Sequence, residues 1–365
     1  MNSPLFYIIE QIKDSQHSVE YKKQITEYSQ SLASQDLPII FDAYHLAYLM
    51  GVPPYRLINI IKDRNFLYHT YKTRKKTGGY RWIMSPSDDL KRVQYWIKVN
   101  ILDKISIHDA ASAFVKGKSI FTNAENHTGK AVILNIDLYR FFDSITEKRV
   151  YGVFKDLGYT EKLSYDLARL ITVHPPKGYW KDIKKENKFK KKHIKSRPSI
   201  LPQGAPTSPV LSNIIAKKMD AVFSTYAGKI NIGYSRYADD ITFSGNENSM
   251  ISLLTVKKII RQQGFTINLK KTKYLRGSGK QVVTGLTVNN GIFVDKEMIN
   301  NIKQELYYCL KFGYKNHLGY KLSKGLPNKS GYKEWLFGCI CFIYSIDKNK
   351  GGKFFELYNQ IDWEI

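Results

Sequence analysis

The chain has 365 residues, enough for two or three packed subdomains, and carries 57 lysines and arginines against 32 acids, a net charge of +25. An excess of that size repels itself unless a polyanion is the usual partner, so nucleic acid is the expected one. No apolar run approaches the length of a spanning helix, the first ten residues do not read as a signal peptide, and Cys309, Cys339 and Cys341 lack zinc-site spacing, so a reduced, cytoplasmic protein off the membrane is expected.

Residues 1–70 read as helical, with Ile25, Tyr28 and Leu32 and then Leu46, Ala47, Ile58 and Ile61 recurring every three or four residues. The pattern changes to alternation between Leu67 and Met84 around Thr77-Gly78-Gly79, which predicts a hairpin bearing Lys72, Arg74, Lys75, Lys76 and Arg81. Such a basic hairpin suits a triphosphate or a template backbone, although a solvated loop has the same composition. Residues 90–105 predict an amphipathic helix with Leu90, Val93, Trp96, Ile97 and Ile101 inward. Residues 130–137 are a short, nearly continuous apolar run, as in a strand buried on both faces, and the run ends in Asp137. An acid there is costly unless something pairs with it.

From 175 to 197 there are nine lysines and one arginine against two acids. That composition predicts a mobile loop with no core, which orders on a polyanion. Leu201-Pro202-Gln203-Gly204-Ala205-Pro206-Thr207-Ser208-Pro209 is a turn of small residues that lets backbone and the Gln203 amide approach a ligand, and a helix follows over 210–226. Tyr234-Ser235-Arg236-Tyr237-Ala238-Asp239-Asp240-Ile241-Thr242-Phe243 reads as two strands joined by a tight turn with both acids at its tip. A surface Asp-Asp turn looks the same over ten residues; Asp137 supplies the third acid that favours a site. A helix over 249–263, a glycine cap, a strand and a lysine cluster over 264–273, a hairpin of 282–288 with 291–294 around Asn289-Asn290, and helices from 295 onward complete the chain.

Three carboxylates suit magnesium, which takes a few carboxylate oxygens plus substrate phosphates. Two such ions can activate a ribose hydroxyl and stabilise leaving pyrophosphate, so nucleotidyl transfer is the reaction these residue types point to.

These blocks, in this order, resemble a reverse transcriptase. The strand ending in Asp137, the segment 201–209 and Tyr237-Ala238-Asp239-Asp240 are similar to the first three palm motifs, 264–273 to the fourth and 283–288 to the primer grip; Arg81-Trp82-Ile83-Met84-Ser85-Pro86 resembles the fingers. Asn123-Ala124-Glu125-Asn126-His127 and Val283-Thr284-Gly285 resemble signatures of the bacterial retron enzymes within that family. The resemblance implies an α+β right-hand fold with fingers, a palm of antiparallel sheet backed by helices, and a helical thumb. Its boundaries would be an N-terminal helical region at 1–70, fingers at 71–129, palm at 130–285 with a basic insertion at 174–198, and primer-grip end and thumb at 286–365.

By the same resemblance Asp137, Asp239 and Asp240 would hold two Mg2+ ions, and Phe142 would be a steric gate favouring deoxynucleoside triphosphates. Gln203 and Gly204 would border the nucleotide, and Arg81 with Lys75 or Lys76 would hold its triphosphate. One of Lys270, Lys271 and Lys273, with Lys271 the choice, would serve the pyrophosphate. Asn123, His127, Val283, Thr284, Gly285, Lys303 and Lys311 would contact RNA or primer. The implied substrate is a structured non-coding RNA, copied from a guanosine 2′-hydroxyl into branched RNA–DNA, in anti-phage defence with an effector protein. A group II intron-like enzyme and a catalytically silent RNA-binding scaffold are the competing readings.

Overall fold

Local sequence signals set the first helices. They are α1 (Pro4–Asp14), α2 (Val19–Ser34), α3 (Ala43–Leu49) and α4 (Pro54–Asp63). Ser18 caps α2 by accepting from Tyr21 N, Asp42 caps α3 by accepting from His45 N, and proline opens α4, where its missing N–H is harmless. The computed structural model describes residues 4–75, 79–186, 196–324 and 331–363. These fall into two units, the first being 1–114, 138–223 and 253–267, the second 115–137, 224–252 and 268–365.

In the first unit, β1 (Tyr68–Arg74) and β2 (Tyr80–Pro86) pair antiparallel, with Tyr71 opposite Ile83 and Arg74 opposite Tyr80. Lys76, Thr77 and Gly78 at the predicted tip lie outside the described residues. Helices α5 (Asp88–Asn100), α7 (Glu147–Asp156) and α8 (Glu161–Ile171) bury Leu90, Ile97, Val150, Phe154, Leu163, Leu167 and Ile171 completely. Arg64, buried, pairs with Glu147, which also accepts from Thr172 Oγ1. The later helices here are α9 (Lys177–Glu186), α10 (Ser208–Lys229, of which 208–223 belong to this unit) and α11 (Leu253–Gln262).

Helix α9 corrects the expectation of a coreless basic loop. Tyr179, Trp180 and Ile183 are buried, because an apolar face runs through a stretch whose net charge hides it. Asp182 fastens that helix to the hairpin, accepting from Trp82 Nε1 at 3.1 Å and pairing with Lys72 at 2.8 Å. Residues 187–195 of the basic segment lie outside the described residues.

The second unit is built on an antiparallel sheet in the order β4 (Gly233–Tyr237), β5 (Asp240–Gly245), β3 (Val132–Asp137), β6 (Lys273–Arg276). Within 264–273 the expected strand is reduced to an isolated antiparallel bridge of Ile267 with Leu138, and the β6 ladder on β3 begins at Lys273, opposite Asn135. The segment 282–288 is likewise two strands rather than one. Thr284 and Gly285 take φ of +47° and +85°, which turns β7 (Val282–Val283) back onto β8 (Leu286–Thr287), and β9 (Phe293–Val294) completes a meander. Short α6 (Ile120–Glu125) precedes β3, and α12 (Lys296–Phe312), α13 (Tyr314–Ser323), α14 (Tyr332–Ile346) and α15 (Lys348–Asn359) follow. Ile302, Leu306, Leu336, Ile340 and Ile343 form their shared core with Val283 and Leu286. No described helix is long and apolar enough to cross a membrane.

Candidate active site

Register brings the acids together. Leu134 pairs with Phe243, and counting along β3 and β5 places Asp137 directly opposite Asp240. Since opposed residues on antiparallel strands have Cβ atoms about 5 Å apart, the two carboxyls share one end of the sheet. Tyr237 pairs with Asp240, which leaves Ala238 and Asp239 as a two-residue turn. Ala238 adopts φ +56°, a region that favours glycine, so the turn stores strain that its surroundings must hold.

Two buried anchors hold it. Arg236 is fully buried and donates from Nη1 to Ala238 O at 3.0 Å, inside the turn. His127, also fully buried, lies 2.7 Å from Ser244 Oγ through Nδ1 and 2.7 Å from Ser235 Oγ through Nε2. One imidazole thus pins β4 and β5 together. Burial and then Lys130 push its pKa down to about 4, so the ring is neutral near pH 7, donating to one hydroxyl and accepting from the other. A Cβ on Gly233 would stand 2.7 Å from Ser244 Oγ and 3.5 Å from His127 Nδ1, so glycine is needed for this clamp to close.

Asp137 is nearly buried and fully engaged. Asn268 Nδ2 donates to Oδ1 at 2.9 Å, Lys271 Nζ meets Oδ2 at 2.7 Å, and Asn268 N bonds the Asp137 carbonyl at 2.8 Å. Partial burial opposes the Lys271 charge, yet its bond to Asp137 and the fields of all three acids hold its pKa above the usual value. Lys271 is therefore the lysine of the cluster that reaches the site. The Asp240 carboxyl is raised above the ordinary range by desolvation first, then by Asp239 and Asp137, with Lys271 opposing. Asp240 remains exposed to solvent.

Such crowding of hard oxygen donors suits a divalent cation, which would reverse the sign of the local field. Among the described residues no group of three or more His, Cys, Asp and Glu side chains forms a ready-made metal cage. The donor set fits ions that complete their shells with water and substrate phosphates.

The residues expected around the nucleotide lie in the first unit. Gln203 donates to Asp143 Oδ1 at 3.2 Å, Asp143 is buried and takes Arg140 Nη1 at 2.8 Å, and Gln203 O accepts from Met84 N at 2.8 Å. Gly204 sits at φ +123°, where an L side chain is strained, and a Cβ there would crowd Ile83 Cγ2 at 3.1 Å and Met84 O at 3.2 Å. The 201–209 loop is thereby stitched to β2. Phe141 is core, 5.3 Å from the Phe265 ring, while Phe142 is only half-buried. Arg81 and Lys75 are exposed on the hairpin.

Several members of this set are invisible to motif reading. Arg140, Asp143, Arg236, Asn268 and the two serines act by gripping other site residues, and their sequence neighbours give no spacing that marks them.

Asn123 and His127 are two of the expected RNA contacts. Both side chains are internal, and both His127 nitrogens are occupied by serines. Val283 is buried too, Thr284 Oγ1 donates to Ile120 O at 3.3 Å, and Gly285 is exposed. The two signature segments thus pack on one another through α6. Lys303 and Lys311 are exposed on α12.

Residues 73–306 match the family described as reverse transcriptase (RNA-dependent DNA polymerase). The chain is 31% identical over 323 residues to the Retron Ec86 reverse transcriptase of Escherichia coli, covering 87% of this chain and 88% of that one. It is 34% identical over 289 residues to the Retron Ec83 reverse transcriptase of the same organism, covering 77% and 83%. Against the Retron Mx162 reverse transcriptase of Myxococcus xanthus it is 31% identical over 81% of its own length, and it spans 61% of that relative. Among solved structures, a telomerase from Candida albicans bound to a telomeric RNA fragment aligns with TM-score 0.44 at 12% identity, covering 79% of this chain and 56% of that one.

Proposed function

The chain belongs to the reverse transcriptase (RNA-dependent DNA polymerase) family and, within it, to the retron reverse transcriptases, and from that premise we propose that it copies a structured non-coding RNA into DNA by two-Mg2+ nucleotidyl transfer, starting from a guanosine 2′-hydroxyl. The observation that carries this reading is the pairing of Asp137 with Asp240 across β3 and β5, with Asp239 in the adjoining turn. Bound divalent ions at these carboxylates supply activation of the attacking hydroxyl and neutralisation of the leaving pyrophosphate.

The chain's own residues do the positioning. Asn268 fixes the Asp137 carboxylate, and Lys271, which neutralises it, would serve the triphosphate. Arg236 and His127 keep the strained turn in place. Asp143 orients the Gln203 amide beside the nucleotide, Arg81 with Lys75 serves the phosphates, and the Phe142 ring bars a ribose 2′-hydroxyl. Fingers at 71–129, palm at 130–285 and thumb from 286 onward follow from this assignment. A cytoplasmic role in anti-phage defence with an effector protein belongs to the same reading and rests on the family resemblance alone. The test is to extract nucleic acid from the native protein and trim its RNA. DNA left joined to RNA by a 2′,5′ linkage is the expected product, and purely linear product would overturn the branched-priming part.

A further inference from the structure

Between α12 and α13 the chain leaves a cavity of about 580 Å3, whose walls include Tyr308, Phe312, Tyr320 and His317. Its floor is rigid. Glu305 accepts from His317 Nε2 at 2.8 Å and Tyr332 Oη at 2.7 Å and also pairs with Lys321; despite partial burial, these donors lower its pKa and keep it ionised. His317 stacks at 5.4 Å from the Tyr308 ring, so the wall is braced by the same network.

The mouth is different in kind. Phe312 is 52% and Tyr320 62% exposed, an arrangement that leaves two flat apolar rings in water. Cations stand beside them, with Lys311 Nζ 5.3 Å from the Phe312 ring and Lys324 Nζ 5.8 Å from that of Tyr320. Two amides line the same cavity. Gln304 Nε2 donates to Tyr308 Oη and Asn316 Nδ2 to Phe312 O, which leaves a carbonyl oxygen on each to accept from a ligand. Rings for stacking, amides for an edge and ammonium groups for phosphate are the three things a single unpaired nucleotide needs.

We infer that this cavity takes one unpaired nucleobase of the RNA, stacked on Phe312 and Tyr320, with its edge on Gln304 and Asn316 and its phosphates at Lys311 and Lys324. The inference rests on the RNA-copying reading above and adds to it a base-specific contact, where helices bearing only lysines would read backbone shape. The size of the cavity suits one base with its sugar, and the surrounding positive charge favours a nucleotide over an aromatic side chain of a protein.

The experiment uses the full chain purified with its own RNA. After that RNA is stripped and re-isolated, rebinding is measured at one fixed salt concentration for wild type, Phe312→Ala/Tyr320→Ala and Tyr320→Phe. The double alanine variant is expected to bind roughly tenfold to hundredfold more weakly, whereas Tyr320→Phe, which keeps the ring, stays near wild type. Both side chains are half exposed or more, so unchanged melting temperatures are expected to accompany the loss. Ultraviolet crosslinking of the native complex should place a ribonucleotide adduct on the peptide spanning 304–321. Unchanged affinity of the double variant overturns the inference, as do deoxyribonucleotide adducts alone or a crosslink to a protein at that peptide. DNA extension by the wild-type complex is measured alongside. An extending enzyme whose double variant binds normally sinks the pocket alone, whereas a wild-type complex that never extends sinks the copying reading.

Discussion

The Asp239 turn and the α12–α13 cavity meet charge in opposite ways. At the turn, acids of one sign are crowded onto sheet ends, where buried Arg236 holds the turn backbone, exposed Lys271 offsets the charge of Asp137 and the buried, neutral His127 clamps the strands. At the cavity the single acid, Glu305, is saturated below while cations and rings face water. The first arrangement is incomplete without added positive charge, and the second is suited to added negative charge. Scaffold burial makes the first a rigid device; surface exposure makes the second an adaptable one.

That contrast can be broken most severely at Asp137. Replacing it by Asn keeps shape but removes the charge shared with Lys271, and incorporation of labelled deoxynucleotides should fall by roughly a thousandfold or more while RNA retention stays. A smaller effect is expected one step removed from the acids. Asp143→Asn weakens the grip on Gln203 and Arg140, so kcat/KM for deoxynucleotides should drop by about ten- to a hundredfold in steady-state assays.

His127 sharpens the comparison through stability. Its pKa is depressed to about 4 in the fold, so its contribution is fully present above the unfolded value of 6.5 and is lost as pH falls through that window. Wild type should therefore lose up to about 3 kcal/mol between pH 6.5 and 4 from this group, and chemical denaturation of His127→Asn should show a flatter profile there, from a lower starting stability. On the exposed side, Lys311→Ala should shift RNA affinity only modestly and reduce the slope of log affinity against log salt by about one, measured by filter binding.

Much of the acid site was legible in the sequence because its chemistry is local. Asp137 ends an apolar run and Asp239-Asp240 sit between two β-rich segments, so strand periodicity alone sets them on strand ends. The supports were not legible, since Ser235, Ser244 and His127 are more than a hundred residues apart in part, and nothing local says that an imidazole will bridge two hydroxyls. The basic segment misled for another reason. Its lysines dominate composition, while the three residues that bury α9, Tyr179, Trp180 and Ile183, are few and carry the fold. The splitting of 282–288 depended on two positive φ values at Thr284 and Gly285, of which only the glycine could be suspected beforehand.

The most direct measurement is incorporation of labelled deoxynucleotides by the purified chain with its copurified RNA, with and without Mg2+, for wild type and for Asp239→Asn/Asp240→Asn. Extension by wild type in Mg2+ alone, with the variant silent yet still folded and RNA-bound, is the predicted result. Extension by the variant, or by wild type after complete removal of divalent ions, would contradict the assignment of these carboxylates.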